Sequence, residues 1–351
     1  MLTRVIRCAA LLAGVPAFAA AQEADFGISV PITVSAGFSA SPATAGARAM
    51  LYPALKLGSH WFAYAAVQVR RTPYFYSDTG HTFDVNVVQA YVGYSLRKGK
   101  AALVFKAGQL TTAFGSYPLR YDDAQNPLID QPVTYVALVP VRYNNGWAYV
   151  NEAFTPVTVY GIPAAEADAS IGRFDARAQL SGGSPSYPEG WSGIGQYHQW
   201  VAGAGYIIRQ GFRIGASAFH GPYLDADDVP SSPRNFPATG VGADLEWARG
   251  RWSVNAEWQN FHFDLPRWPI AFTSAYAEAK AIVSPRLYLA ARVGRLTGES
   301  PLTSVETAAG LWLNRHQLLK VGYEWTEGTN RHNTVGLQFV TSFEALDRSF
   351  K

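Results

Sequence analysis

The chain of 351 residues contains 16% charged residues, 14% aromatic residues and 32 glycines, and its mean hydropathy is close to zero. Helical membrane proteins are far more apolar, and soluble domains usually carry about 25% charged residues, so neither class fits this composition. The formal net charge of +3 gives no indication of a nucleic-acid partner.

The N-terminal segment has the pattern of a secretory signal peptide. Arg4 and Arg7 precede an apolar run, residues 8–19, and small residues follow it. A short membrane anchor is the alternative, but the run is shorter than the ~20 residues that a transmembrane helix needs. We therefore expect residues 1–21 to be removed on export. The single cysteine, Cys8, would leave with them, and the mature chain would then have neither a disulfide nor a thiolate metal site.

The remaining chain, residues 22–351, repeats segments of about ten residues in which apolar and polar side chains alternate. The clearest segment is Asn333–Phe343, and similar ones cover 241–247, 252–260 and 319–325. A helix would not keep Asp, Glu and Lys at every second position. The pattern predicts a single all-β domain, a transmembrane antiparallel β-barrel.

Aromatic residues stand at the apolar ends of these segments, as expected for rings at a membrane interface. The examples are Trp61, Trp247, Trp252, Trp258, Trp325 and Phe343. The core of a soluble β-sandwich is the alternative interpretation. It is less consistent with the small apolar residues at 275, 277, 279 and 281, which are all alanine, because a packed core needs larger side chains.

The connections between segments alternate in length, which predicts about 16 strands with both termini on the periplasmic side. Short turns are expected near 58–60, 98–100, 171–172, 210–211, 249–251, 284–286 and 314–316. Longer loops are expected near 39–46, 76–82, 114–156, 183–196, 222–237, 264–270, 298–303 and 328–331. Pro53 and Pro163 fall inside expected strands, so they require bulges or mark wrong boundaries.

Three motifs resemble porins of the phosphate-selective O/P family. They are Gln89–Tyr94, the run Lys106-Ala-Gly-Gln-Leu-Thr-Thr-Ala-Phe-Gly115, and Asn126-Pro-Leu-Ile-Asp-Gln-Pro132, all within residues 83–135. The resemblance implies a 16-stranded, often trimeric diffusion channel whose third loop folds inward. It does not carry phosphate specificity over, because the dense Arg and Lys ladder of that family is absent from this sequence.

The third long loop, 114–156, is the candidate constriction, because a connection of about forty residues exceeds ordinary loops. Its candidate site residues are Arg120, Asp122, Asp123, Asp130 and Arg142. Packing of this loop against a neighbouring subunit is the alternative, and residues 133–141 could add a strand pair.

Charged residues on the polar side of the strands predict the lining of a pore. On strands two to nine, seven cations oppose four acids: Arg48, Lys56, Arg70, Lys106, Arg173, Arg177 and Arg213 against Asp84, Glu166, Asp168 and Asp175. On strands ten to sixteen, three cations oppose six acids: Lys280, Arg292 and Lys320 against Asp244, Glu246, Glu257, Glu278, Glu306 and Glu324. This division predicts a field across the pore; the alternative is that these charges simply keep it wet.

Signals of catalysis are weak. The chain contains no G-x-S-x-G, H-E-x-x-H or P-loop motif, and its seven histidines do not pair at metal-ligand spacing. The acid pairs 122–123 and 227–228 could hold a cation, but solvated loop charge is the simpler interpretation. We therefore expect no enzyme activity, no metal and no cofactor.

The sequence favours an outer-membrane porin-like channel of a Gram-negative cell for passive diffusion of small polar solutes or ions. The alternatives are a channel specific for phosphate or carbohydrate, a barrel enzyme, and a structural or adhesin barrel. A carbohydrate path would use the loop tyrosines Tyr117, Tyr121, Tyr135 and Tyr143. The expected partners are outer-membrane lipid, lipopolysaccharide and two further copies in a homotrimer.

Overall fold

The computed structural model describes most of the chain. Its described residues are 26–40, 43–71, 83–137, 139–144, 149–154, 157, 159, 161–183, 198–223, 232–265, 269–298, 301–328 and 332–350. The expected signal peptide, residues 1–21, lies outside them, as does the acid pair 227–228.

The described residues form nineteen strands. They are β1 Phe26–Ala40, β2 Ala43–Leu51, β3 Ala54–Leu57, β4 Trp61–Arg71, β5 Phe83–Lys98, β6 Ala101–Leu110, β7 Val139–Asn144, β8 Tyr149–Phe154, β9 Ile162–Ile171, β10 Phe174–Ser181, β11 Gln199–Arg209, β12 Phe212–Pro222, β13 Pro237–Arg249, β14 Trp252–Phe263, β15 Ile270–Ser284, β16 Leu287–Leu296, β17 Leu302–Trp312, β18 Gln317–Gly328 and β19 His332–Phe350. One helical turn, α1, covers Val133–Val136, and 3-10 turns cover Tyr117–Arg120 and Pro233–Asn235. No helix in the described part of the chain is long and apolar enough to cross a bilayer.

The sheet closes on itself as a barrel of 16 antiparallel strands. Successive strands pair with each other, and β1 pairs with β19 from Phe26↔Phe350 to Ser39↔Gly336. β2 and β3 count as one barrel strand, because both pair with β1 on one side and with β4 on the other. The hairpin β7–β8 stands apart from the barrel sheet. The predicted fold class and strand number are confirmed.

A proline explains the break between β2 and β3. Pro53 has no N–H for the ladder, and the strand is interrupted at Tyr52 and Pro53. Backbone bonds continue across the break: Tyr52 N–H donates to Pro31 O and Ala65 N–H donates to Pro53 O, both at 2.9 Å. Pro163, by contrast, is accommodated near the beginning of β9.

The structure corrects one predicted loop and defines two further segments. The loop expected at 39–46 is a tight connection, because β1 continues to Ala40 and pairs there with Ala43. Small residues show little alternation, yet their backbones form a ladder equally well. Residues 133–136 form a helical turn, and the extra strand pair is β7–β8. The last alternating segment, Asn333–Phe343, is part of a longer strand, since β19 continues to Phe350 along β1.

Glycine shapes five of the short turns. Gly58, Gly99, Gly172, Gly211 and Gly250 have φ values between 59° and 75°. This left-handed region is strained for residues with a Cβ atom, whereas glycine enters it freely. The turns therefore reverse the chain within two or three residues and fix the register of the strands they join.

The strands present an apolar face and a polar face. Val293 and Leu337 are exposed on the apolar face, and Trp252 is exposed at its edge. Arg292 and Gln338, which adjoin the first two in sequence, are buried on the polar face. Apolar side chains are therefore exposed and polar side chains are buried, which is the reverse of the arrangement in a soluble protein. This arrangement is typical of a barrel surrounded by lipid.

Candidate functional site

The segment between β6 and β7 holds the site. We call residues 111–137 the anchored segment. Most of its side chains are buried, although its only regular structure is one 3-10 turn and α1. Buried backbone groups outside a helix or sheet need other partners. The polar face of the barrel supplies them.

The Phe114-Gly115 pair fixes the beginning of the anchored segment. The Phe114 ring packs against the rings of Phe219 and Phe261, at centroid distances of 4.8 Å and 5.8 Å. Gly115 has φ +75°, and a Cβ atom there would lie 2.5 Å from the Tyr135 hydroxyl. Gly115 N–H donates to Ser217 Oγ at 3.1 Å. Only glycine fits this close backbone approach.

Glu257 on β14 binds the next residues. Its Oε1 accepts from Ser116 N–H at 3.0 Å, Ser116 Oγ at 2.6 Å and the Tyr276 hydroxyl at 2.9 Å. Its Oε2 accepts from the Tyr135 hydroxyl at 2.6 Å and from Gln259 Nε2 at 2.9 Å. Five donors therefore surround a buried carboxylate, as a charge removed from water requires.

Lys320 on β18 is fully buried under the anchored segment. Its ammonium group donates to three backbone carbonyl oxygens, those of Asp123 at 2.6 Å, Asn126 at 2.8 Å and Leu128 at 3.0 Å. An ammonium group has three donors, and here every one of them holds a carbonyl of the segment.

Glu306 on β17 binds the same stretch through its N–H groups. Its Oε1 accepts from the backbone of Ile129 and Asp130, each at 3.0 Å. Its Oε2 pairs with Arg292 at 2.6 Å, and Arg292 also pairs with Glu278 at 3.2 Å and donates to Asp130 O. Glu278, Arg292 and Glu306, on β15 to β17, thus form one charged network that hydrogen-bonds the backbone of the anchored segment.

Arg48 binds the anchored segment from β2, the strand that pairs with β1. It forms a bidentate pair with Asp123, whose Oδ2 also accepts from Ser35 Oγ at 2.5 Å. Burial favours a raised pKa for Asp123, but the charges of Arg48 and Lys320 outweigh it and lower the pKa below its usual value. Asp123 is therefore an anchoring carboxylate.

Asp130 has the opposite environment. Burial and the nearby carboxylates of Glu324 and Glu306 raise the pKa of Asp130 well above its usual value. Its Oδ1 accepts from Gln131 N–H at 2.5 Å, whereas its Oδ2 is buried without a hydrogen-bond partner. The protonated form is favoured here, because it adds no third negative charge.

A second group of charged residues does not touch the anchored segment through its carboxylates and remains partly open. Lys106 pairs with Glu166 at 2.8 Å and Asp168 at 2.5 Å, and Arg213 pairs with Asp175 at 2.6 Å and with Asp244 at 2.7 Å. The side chains of Lys106 and Arg213 are each 23% exposed, and that of Asp175 is 38% exposed. A solute on the polar face would meet these charges first.

The predicted site residues therefore divide. The structure brings together at the anchored segment Arg120, Asp122, Asp123, Asp130, Arg177, Glu257, Glu278 and Arg292, of which Arg177 donates to Gly115 O. It leaves Arg70, Lys106, Arg213 and Glu246 half-buried on the polar face and buries Asp244 beside Arg213. Arg173 lies apart from both groups, exposed in the turn after β9, where it donates to Ile208 O at 3.2 Å. The side chain of Arg142 lies outside the described residues.

Uncharged partners were missed at the sequence level. Ser116, Ser217 and Tyr276 bind the segment or its anchors, but alternation alone does not distinguish them from other polar strand residues. The loop tyrosines 117, 121 and 135 are only 2–5% exposed, so they do not offer ring faces to a solute. No group of three His, Cys, Asp or Glu side chains in the described part could hold a metal ion.

A row of aromatic rings lies on the polar face of neighbouring strands instead. Tyr64 lies between Tyr52 and Tyr91, with centroid distances of 6.5 Å and 5.5 Å. Phe62 contacts Tyr91 at 6.1 Å, and Lys106 Nζ lies 5.8 Å from the Tyr91 ring. All four rings are half-buried.

Comparison with known proteins supports the architecture. No protein-family model matches the chain, and no curated sequence matches it. Among solved structures, OprB of Pseudomonas putida is 12% identical, with a TM-score of 0.58 over 91% of this chain and 94% of that one. An anion-selective porin from Comamonas acidovorans is 9% identical, with a TM-score of 0.58 over 92% and 100%. The outer membrane channel DcaP of Acinetobacter baumannii is 12% identical, with a TM-score of 0.57 over 94% and 100%.

At these identities the likeness establishes the fold alone. The porin-type barrel predicted from the sequence is confirmed as an architecture. Membership of the phosphate-selective O/P family stays a prediction.

Proposed function

We propose that the chain is an outer-membrane channel for passive diffusion of small polar solutes or ions. The observation that carries the proposal is the closed 16-stranded barrel whose polar face holds partly exposed ion pairs. Charged side chains on the inside of a barrel keep its lumen hydrated, while the apolar face contacts lipid. That the protein has no enzyme activity stays a prediction.

We infer that the anchored segment lies inside the barrel and narrows the pore. It contacts polar-face residues on β2, β12, β14, β17 and β18, which are distributed around the ring. The interior is the only space that all these faces share. Because backbone bonds tie the segment to the wall at many points, it would act as a fixed constriction.

The signal peptide predicted from the sequence and the barrel fold support export to the outer membrane of a Gram-negative cell, in contact with lipopolysaccharide. The apolar face supports a homotrimer. Ala167, Ala178, Ala202 and Ala218 stand side by side on β9 to β12. Rows of small residues let protein backbones approach closely within a membrane.

A carbohydrate-selective channel is a second candidate, favoured by the aromatic row. Half-buried rings beside the Lys106 ion pairs offer an apolar surface next to groups that bind hydroxyls. A trisaccharide should then interrupt the current of single channels, and Tyr64→Ala should shorten the interruptions. On the polar face of the described strands, cations are interspersed with carboxylates such as Glu166 and Asp244, which does not support a phosphate-selective channel.

The test of the proposed function is conductance in a planar bilayer. Purified, folded protein should give discrete current steps in simple salts, without added substrate. Unfolded protein from the same preparation is the control. A folded barrel that inserts into the bilayer and conducts no current would overturn the proposal and favour a structural or adhesin barrel.

A further inference from the structure

Exposed cations surround one end of the barrel. They stand in or directly beside the short turns and are Arg97, Lys98, Lys100, Arg173, Arg209, Arg249, Arg251, Arg286 and Arg315. We call these nine residues the basic rim. The seven short turns contain no Asp or Glu. Outside residues 114–156, the sequence of the long connections contains Asp78, Glu189, Asp225, Asp227, Asp228, Asp264 and Glu299 against Arg234, Arg267 and Arg331. At the short-turn end, β19 adds Arg348 against the exposed Glu344 and Asp347, so positive charge still dominates there.

The protein does not neutralise this charge itself. Polar-face cations such as Arg48, Lys106 and Arg292 have carboxylate partners. None of the nine rim residues forms an ion pair with another residue that the structure describes; Arg173 donates to a carbonyl and Arg315 to a histidine ring. A ring of like charges raises the electrostatic energy of the fold unless anions gather there. Anions from outside the chain, either salt ions or a bound partner, therefore balance the charge of the rim.

The residues beside the rim indicate where that partner lies. Leu96 adjoins Arg97 and Trp252 adjoins Arg251, and both apolar side chains are exposed on the apolar face. Exposed Phe174 adjoins Arg173 in the same way. Successive strand residues are about 3.3 Å apart, so each of these three cations lies within a few ångströms of a side chain that would contact lipid. That is the depth of the headgroup layer.

We infer that the basic rim binds the headgroups of anionic phospholipids, in the leaflet that surrounds the short-turn end. A soluble anion would need cations but not the adjoining belt of exposed apolar residues. Basic residues at the surface of an anionic membrane contribute roughly fivefold each to association. The inference rests on the proposed membrane location but not on conduction, so the two can fail separately.

The experiment measures lipid preference directly. The full chain is reconstituted in phosphatidylcholine with traces of spin-labelled phosphatidylglycerol or phosphatidylcholine, and the ratio of their association constants is determined at low salt. We expect a preference of roughly three- to fivefold for the anionic lipid. The preference should fall towards one as salt screens the rim. This salt series requires no variant.

A matched pair of variants locates the preference. Arg249→Gln with Arg251→Gln should reduce the ratio. Arg234→Gln with Arg295→Gln, at the long-connection end, should leave it unchanged. Equal ratios for the two lipids in the wild type, or equal losses in both variants, would overturn the inference. Displacement by free phosphate beyond the effect of chloride at the same ionic strength would also overturn it, in favour of a soluble anion.

Discussion

Two groups of charged side chains on the polar face differ in what they bind. Glu257, Arg292 and Lys320 are covered by the anchored segment and bind its backbone. Lys106 and Arg213 are partly exposed and pair with carboxylates of other strands. The difference teaches that a charge on a barrel strand can act as a structural support or as a surface for solutes, depending on whether a segment covers it.

The reason lies in the backbone of the anchored segment. A chain without a regular ladder leaves N–H and C=O groups to be satisfied, and burial makes each unpaired group costly. Glu306 accepts from two N–H groups, and Lys320 donates to three carbonyls. These side chains replace the missing secondary structure. Open charges such as Lys106 pair with carboxylates instead of backbone groups.

Replacement of Lys320 should give the largest effect. Lys320→Met keeps the volume but leaves three buried carbonyls without a donor, each worth about 1–3 kcal/mol. We expect a loss of about 3 kcal/mol or more in the free energy of unfolding, and noisier or larger current steps as the segment loosens. Denaturant titration and single-channel recording measure the two.

Lys106→Met is the matched control on the open wall. The side chains of Lys106 and its partner Asp168 are 23% and 31% exposed, and partly exposed ion pairs contribute about 1 kcal/mol or less. A similar loss of stability in both variants would contradict the division into covered and open charges.

The two acids of the anchored segment should respond to pH in opposite directions. Asp130 has a raised pKa in the folded protein, so its contribution to stability is present below the unfolded value of about 3.9 and is lost as pH rises through the folded pKa. Asp130→Asn imitates the protonated form. We expect it to stabilise the protein at pH 7 to 9 and to have little effect near pH 4.

Asp123 provides the contrast. Its pKa is lowered by Arg48 and Lys320 against the effect of burial, so its contribution is present above about 3.9 and is lost as pH falls through the folded pKa. Asp123→Asn should therefore destabilise the protein at pH 7. Thermal unfolding of both variants across this range checks the pair, and effects of equal sign at pH 7 would refute the assignment.

The smallest expected effect is a change in ion selectivity. It should separate the covered charges from the open ones most clearly. Asp168→Asn removes a partly exposed negative charge and should shift the reversal potential towards anions, with stability nearly unchanged. Glu257→Gln removes a covered charge with five donors, so stability should fall while selectivity changes little. Reversal potentials at low salt, where screening is weakest, measure both. The opposite ranking would place Glu257 in the path of the ions.

The sequence predicts the fold more completely than it predicts the contacts of the candidate site. Alternation placed Glu257 and Trp258 on opposite faces, and the turn glycines marked the strand ends. Both signals are local, because alternation repeats every two residues and a turn glycine acts through its own backbone conformation. The connection at Ala40 to Ala43 was missed because small residues carry no such signal.

The contacts of the site are not local. Lys320 binds the carbonyl of Asp123 across 197 positions of the chain. Whether a lysine on the polar face is covered depends on where a distant irregular segment lies, and no periodicity encodes that. The full set of polar-face charges predicts an electric field across the pore. In the structure, however, only the open charges among them face solvent.

The pairing of β1 with β19 closes the ring, so the chain could begin and end between any two neighbouring strands without a change in their circular order. Thr33 and Ser342 are 309 positions apart, yet their hydroxyl groups lie 3.2 Å from each other. A partial chain therefore always has two unpaired edges, which invite pairing with other chains. In a circular permutant, residues 26 and 350 would be joined by a short linker and the chain opened at Gly250. Such a permutant would keep every pair of neighbouring strands. It would change only which two strands form the last pair that closes the barrel.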